Sequence, residues 1–125
     1  MRDYRDPVFV KNHAFETLRF YLPVFLDSEY GGFFCTFLDD GRLYDRDLKD
    51  FIGTSRFILD FCFAISVEEV EDYRGYIRHG LEFAEIVFRD DVYGGYYQSA
   101  RRDQPDKGTK VTYGHAFYLC AAANA

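Results

Sequence analysis

A short motif of two glycines between aromatic residues occurs twice in this chain of 125 residues. The stretch Glu29–Phe34 reads EYGGFF, and the stretch Val92–Tyr97 reads VYGGYY. The two glycine pairs lie 63 positions apart, counted from Gly31 to Gly94. Repeats of this period indicate stacked supersecondary units, each of which buries its hydrophobic face against a neighbour. The chain is therefore expected to contain two copies of one structural unit.

The similarity between the two copies extends beyond the glycines. Charged and glycine positions also align, at offsets of 63 or 61 residues: Asp27 with Asp90, Lys49 with Lys110, and Gly53 with Gly114. The order of these positions is the same in both copies, although the overall identity is low. This shared order supports a repeated unit over a chance recurrence of glycines.

The spacing of apolar residues predicts four helices. Asp6-Pro7 is a typical helix start, because aspartate caps the first turn and proline favours its first position. Between helices, Asp40-Gly41 is suited to a two-residue hairpin turn, and the polar stretch 98–110 is expected to be a loop. The predicted helices cover residues 7 to about 22, 51–65, 70–88, and 112 to the last residue, Ala125.

Each unit thus reads as a helix, a glycine turn with a hairpin or loop, and a second helix. The predicted fold class is all-α, made of helical hairpin repeats with short β-hairpins or loops between the helices. Because repeat folds usually need at least about three units, we expect residues 1–125 to be the N-terminal part of a longer domain, truncated at its C-terminus. Six such units closing into a ring would need roughly 370 residues. An open apolar edge would also allow a homodimer.

Composition excludes several classes of partner. The net charge is −6, and no basic stripe with interleaved aromatics is present, so nucleic acid is not expected to bind. The apolar runs are too short for a membrane span, and the N-terminus lacks the pattern of a signal peptide. These features predict a cytoplasmic protein. The three cysteines lack the spacing of a zinc or redox motif, so reduced thiols are expected.

Several motifs in this order resemble the N-acylglucosamine 2-epimerase family, which includes cellobiose 2-epimerases and mannose or sulfoquinovose isomerases. The resemblance rests on Asp27, Tyr30-Gly31-Gly32-Phe33, Leu38-Asp39-Asp40-Gly41, Asp45, Lys49 and Arg56 in the first unit, and on Phe88-Arg89-Asp90, Gly94-Gly95-Tyr96-Tyr97, Lys110 and Tyr113–Phe117 in the second. It implies an (α/α)6 barrel, of which this chain would form about the first third. It also implies a carbohydrate substrate.

The resemblance further implies epimerisation or aldose-ketose isomerisation by removal and return of a proton through an enediolate. Such chemistry needs a general base and a donor that stabilises the enediolate oxygen, and it requires no cofactor or metal. The resemblance assigns substrate contact to Arg56, and it places Tyr113 and Phe117 on a helix face that lines the sugar pocket. The family often has a tryptophan near Ile52, whereas this chain contains none, which leaves the identity of the sugar open.

Each of these residues has a structural alternative. Arg56 could instead form a salt bridge with Asp60, one helical turn away, because an unpaired arginine in an apolar segment is costly. Tyr113 and Phe117, four residues apart, share one helix face and could simply pack in the core. His115 points away from that face and is expected to pack or to support the pocket from behind.

No catalytic residue is predicted within the chain. His13 and His79 stand alone among mixed helix positions, and surface or structural roles are expected for both. In the resembled family the two proton-transferring histidines lie on later helices, so none of the present histidines matches them. We therefore expect the isolated chain to be inactive.

Two other functions are compatible with the sequence. Some (α/α)6 barrels are glycoside hydrolases that use a pair of carboxylates, and a cluster of acids here could supply one. A solvated turn with helix-capping roles explains such a cluster equally simply, because a catalytic acid needs burial and a raised pKa. The third possibility is a non-catalytic interaction module. The acids concerned are Asp39, Asp40, Asp45, Asp47 and Asp50.

Overall fold

The computed structural model describes residues 2–68 and 70–125. These residues form four α-helices and three short strands, which follow one another along the chain as α1 (Pro7–Tyr21), β1 (Leu48–Asp50), α2 (Phe51–Val67), α3 (Glu71–Phe83), β2 (Ser99–Arg101), β3 (Gln104–Pro105) and α4 (Thr112–Asn124). A π-helical turn, Ala84–Phe88, continues α3. The four predicted helices are confirmed. None of the helices in the described ranges is long and apolar enough to cross a membrane.

The helix starts follow from local hydrogen bonding. The Asp6 side chain accepts a hydrogen bond from the Val8 N–H, and Pro7 occupies the first turn of α1. The Asp50 side chain caps α2 in the same way, accepting from the Gly53 N–H at 2.6 Å. These caps satisfy backbone donors that have no partner inside the helix, so both helices begin where the sequence predicts.

The core is an aromatic cluster centred on α2, which packs against both α3 and α4. Residues from every helix contribute to it, and phenylalanine dominates. The largest side chains that are almost fully buried within it are Phe25, Phe33, Phe51, Ile58, Phe61 and Phe88. Burying a phenylalanine contributes about 1.5–3 kcal/mol, so this cluster holds the two units together.

The two glycine turns have the same backbone geometry. Gly31, Gly32, Gly94 and Gly95 all have φ between +74° and +82°, a region that side chains with a Cβ rarely adopt. In both copies the aspartate four residues before the first glycine closes the turn, through its N–H and its carboxylate. The turns lie between α1 and α2, and between the π-helical turn and α4. The prediction of one glycine turn inside each helical hairpin is therefore confirmed.

An aspartate–lysine ion pair lies beneath each glycine turn. Lys49 Nζ donates to Asp27 Oδ2 at 2.6 Å, and both side chains are buried. In the second unit Lys110 donates to Asp90, but the Lys110 side chain is 30% exposed. Burial raises the pKa of Asp27, but the bonds from Lys49 and from two backbone N–H groups outweigh that effect, so the net shift is downward. The aligned aspartates and lysines of the sequence are thus paired in space.

The hairpin at Asp40-Gly41 differs from the prediction. The Leu38 N–H donates to Arg42 O at 2.7 Å, and the Gly41 N–H donates to Leu38 O at 2.9 Å. The loop therefore has three residues, Asp39 to Gly41, and Gly41 takes φ +86° at its end. This is the three-residue hairpin in which a glycine bulge follows a tight turn. The predicted two-residue turn is wrong because the bulge requires the glycine after the turn.

The stretch 98–110 is not simply a loop. It contains β2 and β3, which join β1 in an antiparallel sheet of order β1-β2-β3, with Lys49 opposite Ala100. The sheet joins the two units, because β1 belongs to the first and β2 to the second. Short strands without alternating hydrophobicity leave little signal in a sequence, which explains why this sheet was not predicted.

Arg102, at the turn between β2 and β3, connects the second unit to the first. Its φ of +56° is unusual for a residue with a side chain. Its N–H donates to Asp47 O at 2.6 Å, and its Nε donates to the Asp47 carboxylate at 3.1 Å. The guanidinium also lies over the ring of Tyr30, 4.9 Å from the centroid. These contacts compensate for the strained backbone conformation.

Candidate functional site

Three residues singled out from the sequence converge where the starts of α2 and α4 meet. Arg56 Nη2 donates to the Tyr113 hydroxyl at 3.2 Å. The Arg56 guanidinium carbon lies 4.8 Å from the centroid of the Phe117 ring, and the rings of Tyr113 and Phe117 meet edge to face at 4.9 Å. Because these residues come from two helices 57 positions apart in sequence, the fold itself assembles the cluster.

Arg56 is exposed, and its contacts are with α4. Within the described ranges, no ion pair of 4.0 Å or less joins it to Asp60. Desolvation raises the pKa of the Asp60 carboxyl, and the positive charge of Arg56 lowers it by a smaller amount. The salt bridge considered from the sequence is therefore not formed, and the Arg56 guanidinium remains available to a ligand.

Tyr113 and Phe117 do not belong to the buried face of α4. That face consists of Gly114, Tyr118 and Ala121. Tyr113 is 54% exposed, whereas Phe117 is half-buried beneath the Arg56 guanidinium. The alternative that Tyr113 packs in the core is therefore wrong. The cluster presents a cation, a hydroxyl and an aromatic ring on one accessible surface.

The two helix starts that carry the cluster are held together by Gln98 and Gly114. The Gln98 side-chain amide nitrogen donates to Asp50 Oδ1 at 2.8 Å, and the Gln98 backbone carbonyl oxygen accepts from the Phe51 N–H at 3.0 Å. A Cβ on Gly114 would lie 3.1 Å from the Phe51 ring and 3.4 Å from Ile52, so glycine allows close contact. The alignment of Gly53 with Gly114 marked this glycine, but nothing in the sequence pointed to Gln98.

The three histidines have structural roles in the fold. His115 Nδ1 lies 2.8 Å from Val111 O, and its Nε2 accepts the Tyr96 N–H at 2.9 Å, which confirms the packing role expected for it. These bonds require the neutral imidazole with its proton on Nδ1. His79 Nε2 bonds to Gly32 O at 3.0 Å. His13 stacks on Phe9, at 5.7 Å between ring centroids. None of the three lies in the Arg56 cluster.

A polar network around Glu85 was not anticipated from the sequence. Glu85 Oε1 accepts hydrogen bonds from the Tyr96 hydroxyl at 2.6 Å and the Tyr118 hydroxyl at 2.7 Å. Burial and the adjacent carboxylate raise the pKa of Tyr96 to about 12, and they raise that of Tyr118 as well. Because Glu85 belongs to the π-helical turn and Tyr118 to α4, the network fixes the rotation of α4 about its axis.

The acids considered for hydrolysis are engaged in turns and caps. Asp45 Oδ1 accepts the N–H groups of Asp47 and Leu48, and these bonds lower its pKa. Hydrogen bonds from Arg42 likewise lower the pKa of Asp40. A general acid needs the opposite shift, so this hairpin fits the capping explanation. Within the described ranges no three metal-ligating side chains converge. Burial raises the pKa of the Cys35 thiol to about 11, which makes it a poor nucleophile.

An apolar groove of about 760 Å³ runs between α1 and α2, away from the Arg56 cluster. Apolar side chains such as Ala14, Leu18, Phe57 and Phe63 line most of it. Arg5, Lys11 and Asp60 also border the groove, but its exposed lining is mostly apolar, which suits a hydrophilic ligand poorly. The cluster at the helix starts is therefore the better candidate for a site that binds a polar substrate.

Comparison with known proteins finds relatives among sugar isomerases and epimerases. The chain is 32% identical over 122 residues to the D-mannose isomerase of Marinomonas mediterranea, covering 98% of the present chain and 30% of that protein. The crystal structure of a D-mannose isomerase superposes with a TM-score of 0.91 at 30% identity, covering all of this chain and 32% of that one. The cellobiose 2-epimerase of Bacillus thermoamylovorans B4167 superposes with a TM-score of 0.79 at 26% identity, covering 90% and 30%.

The fold defines the class of protein first: its helical hairpins are those of the (α/α)6 barrels formed by sugar epimerases and isomerases. Residues 31–125 match the family described as N-acylglucosamine 2-epimerase (GlcNAc 2-epimerase). The chain belongs to this N-acylglucosamine 2-epimerase family. It spans about a third of the length of the relatives it matches.

Proposed function

We propose that this chain provides part of the sugar-binding surface of an epimerase or aldose-ketose isomerase acting on a monosaccharide or disaccharide. The observation that carries the proposal is the convergence of Arg56, Tyr113 and Phe117 on one accessible surface. A sugar offers vicinal hydroxyl groups and an apolar ring face. A guanidinium fork and a phenol match the first, and an aromatic ring matches the second.

Each residue has a distinct role in the proposed reaction. Removing the proton at C2 places negative charge on the neighbouring carbonyl oxygen, and the permanently charged Arg56 stabilises that enediolate. Tyr113 hydrogen-bonds to a sugar hydroxyl and holds Arg56 in place. Phe117 packs against the sugar ring and supports the guanidinium from below.

The groups that transfer the proton are not assigned within this chain. All three histidines bond or stack within the fold, away from the cluster. We therefore propose that the base and acid belong to another part of a longer protein, and that the isolated chain does not catalyse the reaction.

Deuterium exchange at C2 tests this proposal. The longest natural protein that contains the chain is incubated with D-mannose, D-fructose or cellobiose in D2O, and deuteration at C2 of the aldose, as substrate or as product, is followed by NMR. Arg56→Ala is expected to lower the rate by about 100-fold to 1000-fold, the effect of removing one donor to an oxyanion. Arg42→Lys is the matched control, because Arg42 is exposed on the hairpin and bonds to Asp40. Exchange at the wild-type rate in Arg56→Ala would refute the proposal.

The same assay addresses the hydrolase alternative. Cleavage of a glycosidic bond without C2 exchange, abolished by Asp45→Asn, would favour a hydrolase over an epimerase. Because hydrogen bonds from the backbone occupy the Asp45 carboxylate, we expect Asp45→Asn to abolish no glycosidic cleavage.

A further inference from the structure

The junction between the starts of α2 and α4 controls the geometry of the Arg56 cluster. Arg56 lies in the second turn of α2, and Tyr113 lies in the first turn of α4. Their contact of 3.2 Å depends on how closely these two helix starts are held. A displacement of about 1 Å is enough to lose a hydrogen bond, so the residues at the junction determine whether the cluster is formed.

Gln98 bonds to both sides of this junction. On the α2 side, its side-chain Nε2 donates to Asp50 Oδ1 at 2.8 Å, and its backbone carbonyl oxygen accepts from the Phe51 N–H at 3.0 Å. On the α4 side, its N–H donates at 2.9 Å to the carbonyl oxygen of Thr109, three residues before the helix begins. Asp50 also caps α2 through its other carboxylate oxygen. The Gln98 amide therefore bonds directly to the residue that starts the helix carrying Arg56.

The other end of the Gln98 amide is buried without a partner. Among the described residues, Gln98 Oε1 is one of two buried side-chain atoms that have no hydrogen bond. It faces the first turn of α4, where a Cβ on Gly114 would lie 3.3 Å from it. Burying an unsatisfied acceptor costs about as much as the bond to Asp50 gains, so the net stabilisation from this amide is small. The main effect of the Gln98 amide is therefore on the relative positions of α2 and α4.

We propose that Gln98 is a positioning residue for the sugar site: its bond to Asp50 sets the spacing between α2 and α4 that brings Arg56 to Tyr113 and Phe117. This inference rests on the proposed function above for its consequence on sugar binding. Its consequence for the Arg56 contact stands independently of any substrate.

The test uses Gln98→Met, which preserves length and shape and removes both the bond to Asp50 and the unpaired oxygen. Gln104→Met is the matched control, because Gln104 Nε2 also donates to an aspartate, Asp103, at 2.9 Å on an exposed turn. The first readout is the Arg56 Nε–Hε signal in 1H–15N NMR of the chain, assigned by its loss in Arg56→Lys. The Phe117 ring shifts this signal, and Phe117→Leu provides the unshifted reference.

We expect Gln98→Met to move the Arg56 signal at least halfway to its position in Phe117→Leu, while the melting temperature stays within about 4 °C of wild type. Gln104→Met should leave the signal unchanged. A wild-type signal in Gln98→Met would overturn the proposal. If that variant does not fold, Asp50→Asn replaces it, because asparagine still caps the helix and weakens the bond from Gln98. A smaller shift in the same direction is then expected, and no shift overturns the proposal.

The second readout is the kcat and KM for sugar in the longest natural protein that contains the chain. Gln98→Met is expected to lower kcat by about threefold to tenfold, in the same direction as Arg56→Lys, because a displaced guanidinium makes a weaker hydrogen bond to the enediolate. An unchanged kcat in Gln98→Met, together with a lowered kcat in Arg56→Lys, overturns the positioning role at the sugar site. An unchanged kcat in Arg56→Lys contradicts the proposed function instead, and the NMR signal still decides whether Gln98 positions Arg56.

Discussion

Removing the amino group of Lys49 is expected to destabilise the fold much more than removing that of its counterpart, Lys110. Lys49 is fully buried, and its partner Asp27 is 4% exposed. In Lys49→Met the methionine fills most of the space of the lysine, but the Asp27 carboxylate remains buried without its cation. Breaking a buried ion pair by removing one partner costs about 3–5 kcal/mol in the free energy of unfolding.

Lys110 provides an internal comparison, because the repeat places it under the same kind of glycine turn. Its side chain is 30% exposed, so water can solvate the Asp90 carboxylate when the lysine is removed. The expected loss in Lys110→Met is about 1 kcal/mol, as for ion pairs open to solvent. The two variants should therefore differ by at least about 2 kcal/mol.

Urea unfolding followed by circular dichroism measures both losses, provided that the m-values agree. The double variant Asp27→Asn/Lys49→Met should recover much of the stability, because asparagine still accepts the N–H bonds of Glu29 and Tyr30 without a buried charge. Equal losses for Lys49→Met and Lys110→Met, or a double variant as unstable as Lys49→Met alone, would show that burial of the charge is not the cause.

Three further predictions concern the turns, the polar network and the exposed helix surface. Gly32→Ala should cost about 1–3 kcal/mol more than Gly94→Ala in urea unfolding, because both have a φ near +75° but only at Gly32 would a Cβ meet a ring, that of Phe83, at 2.8 Å. Burial raises the pKa of Tyr96 to about 12, whereas an unfolded tyrosine ionises near pH 10. The free energy of unfolding should therefore be constant below about pH 10 and fall between about pH 10 and 12. Tyr96→Phe should lessen that fall in alkaline unfolding curves. Leu119 is 72% exposed on α4, so sedimentation should show self-association that Leu119→Glu weakens; a monomeric wild-type chain at all concentrations would contradict an open apolar edge.

Most of the secondary structure could be predicted from the sequence, because the determining interactions are local. Apolar spacing and the caps at Asp6 and Asp50 set the helices. The glycine pairs could be recognised as turns because backbone angles with positive φ exclude most other residues. The short strands escaped prediction, since two or three residues carry no periodic signal and the pairing of β1 with β2 joins residues about 50 positions apart.

The candidate site, too, could be predicted only in part from the sequence. Its residue types and the shared helix face of Tyr113 and Phe117 could be identified from the sequence, with the help of a family resemblance. The choice between a salt bridge and a ligand-facing role for Arg56 depended on contact with another helix. Gln98 could not have been found from its neighbours, because its importance lies in bonds to residues distant in sequence.

The sequence by itself determined that this chain is built from two related helical hairpins, because periodicity, caps and glycine turns act within a few residues of each other. Only the tertiary structure decided that Lys49 would be buried, that Lys110 would stay partly open to water, and that Arg56 would meet Tyr113. These outcomes depend on which surfaces cover one another when the units pack, and burial and charge pairing are properties of that packing.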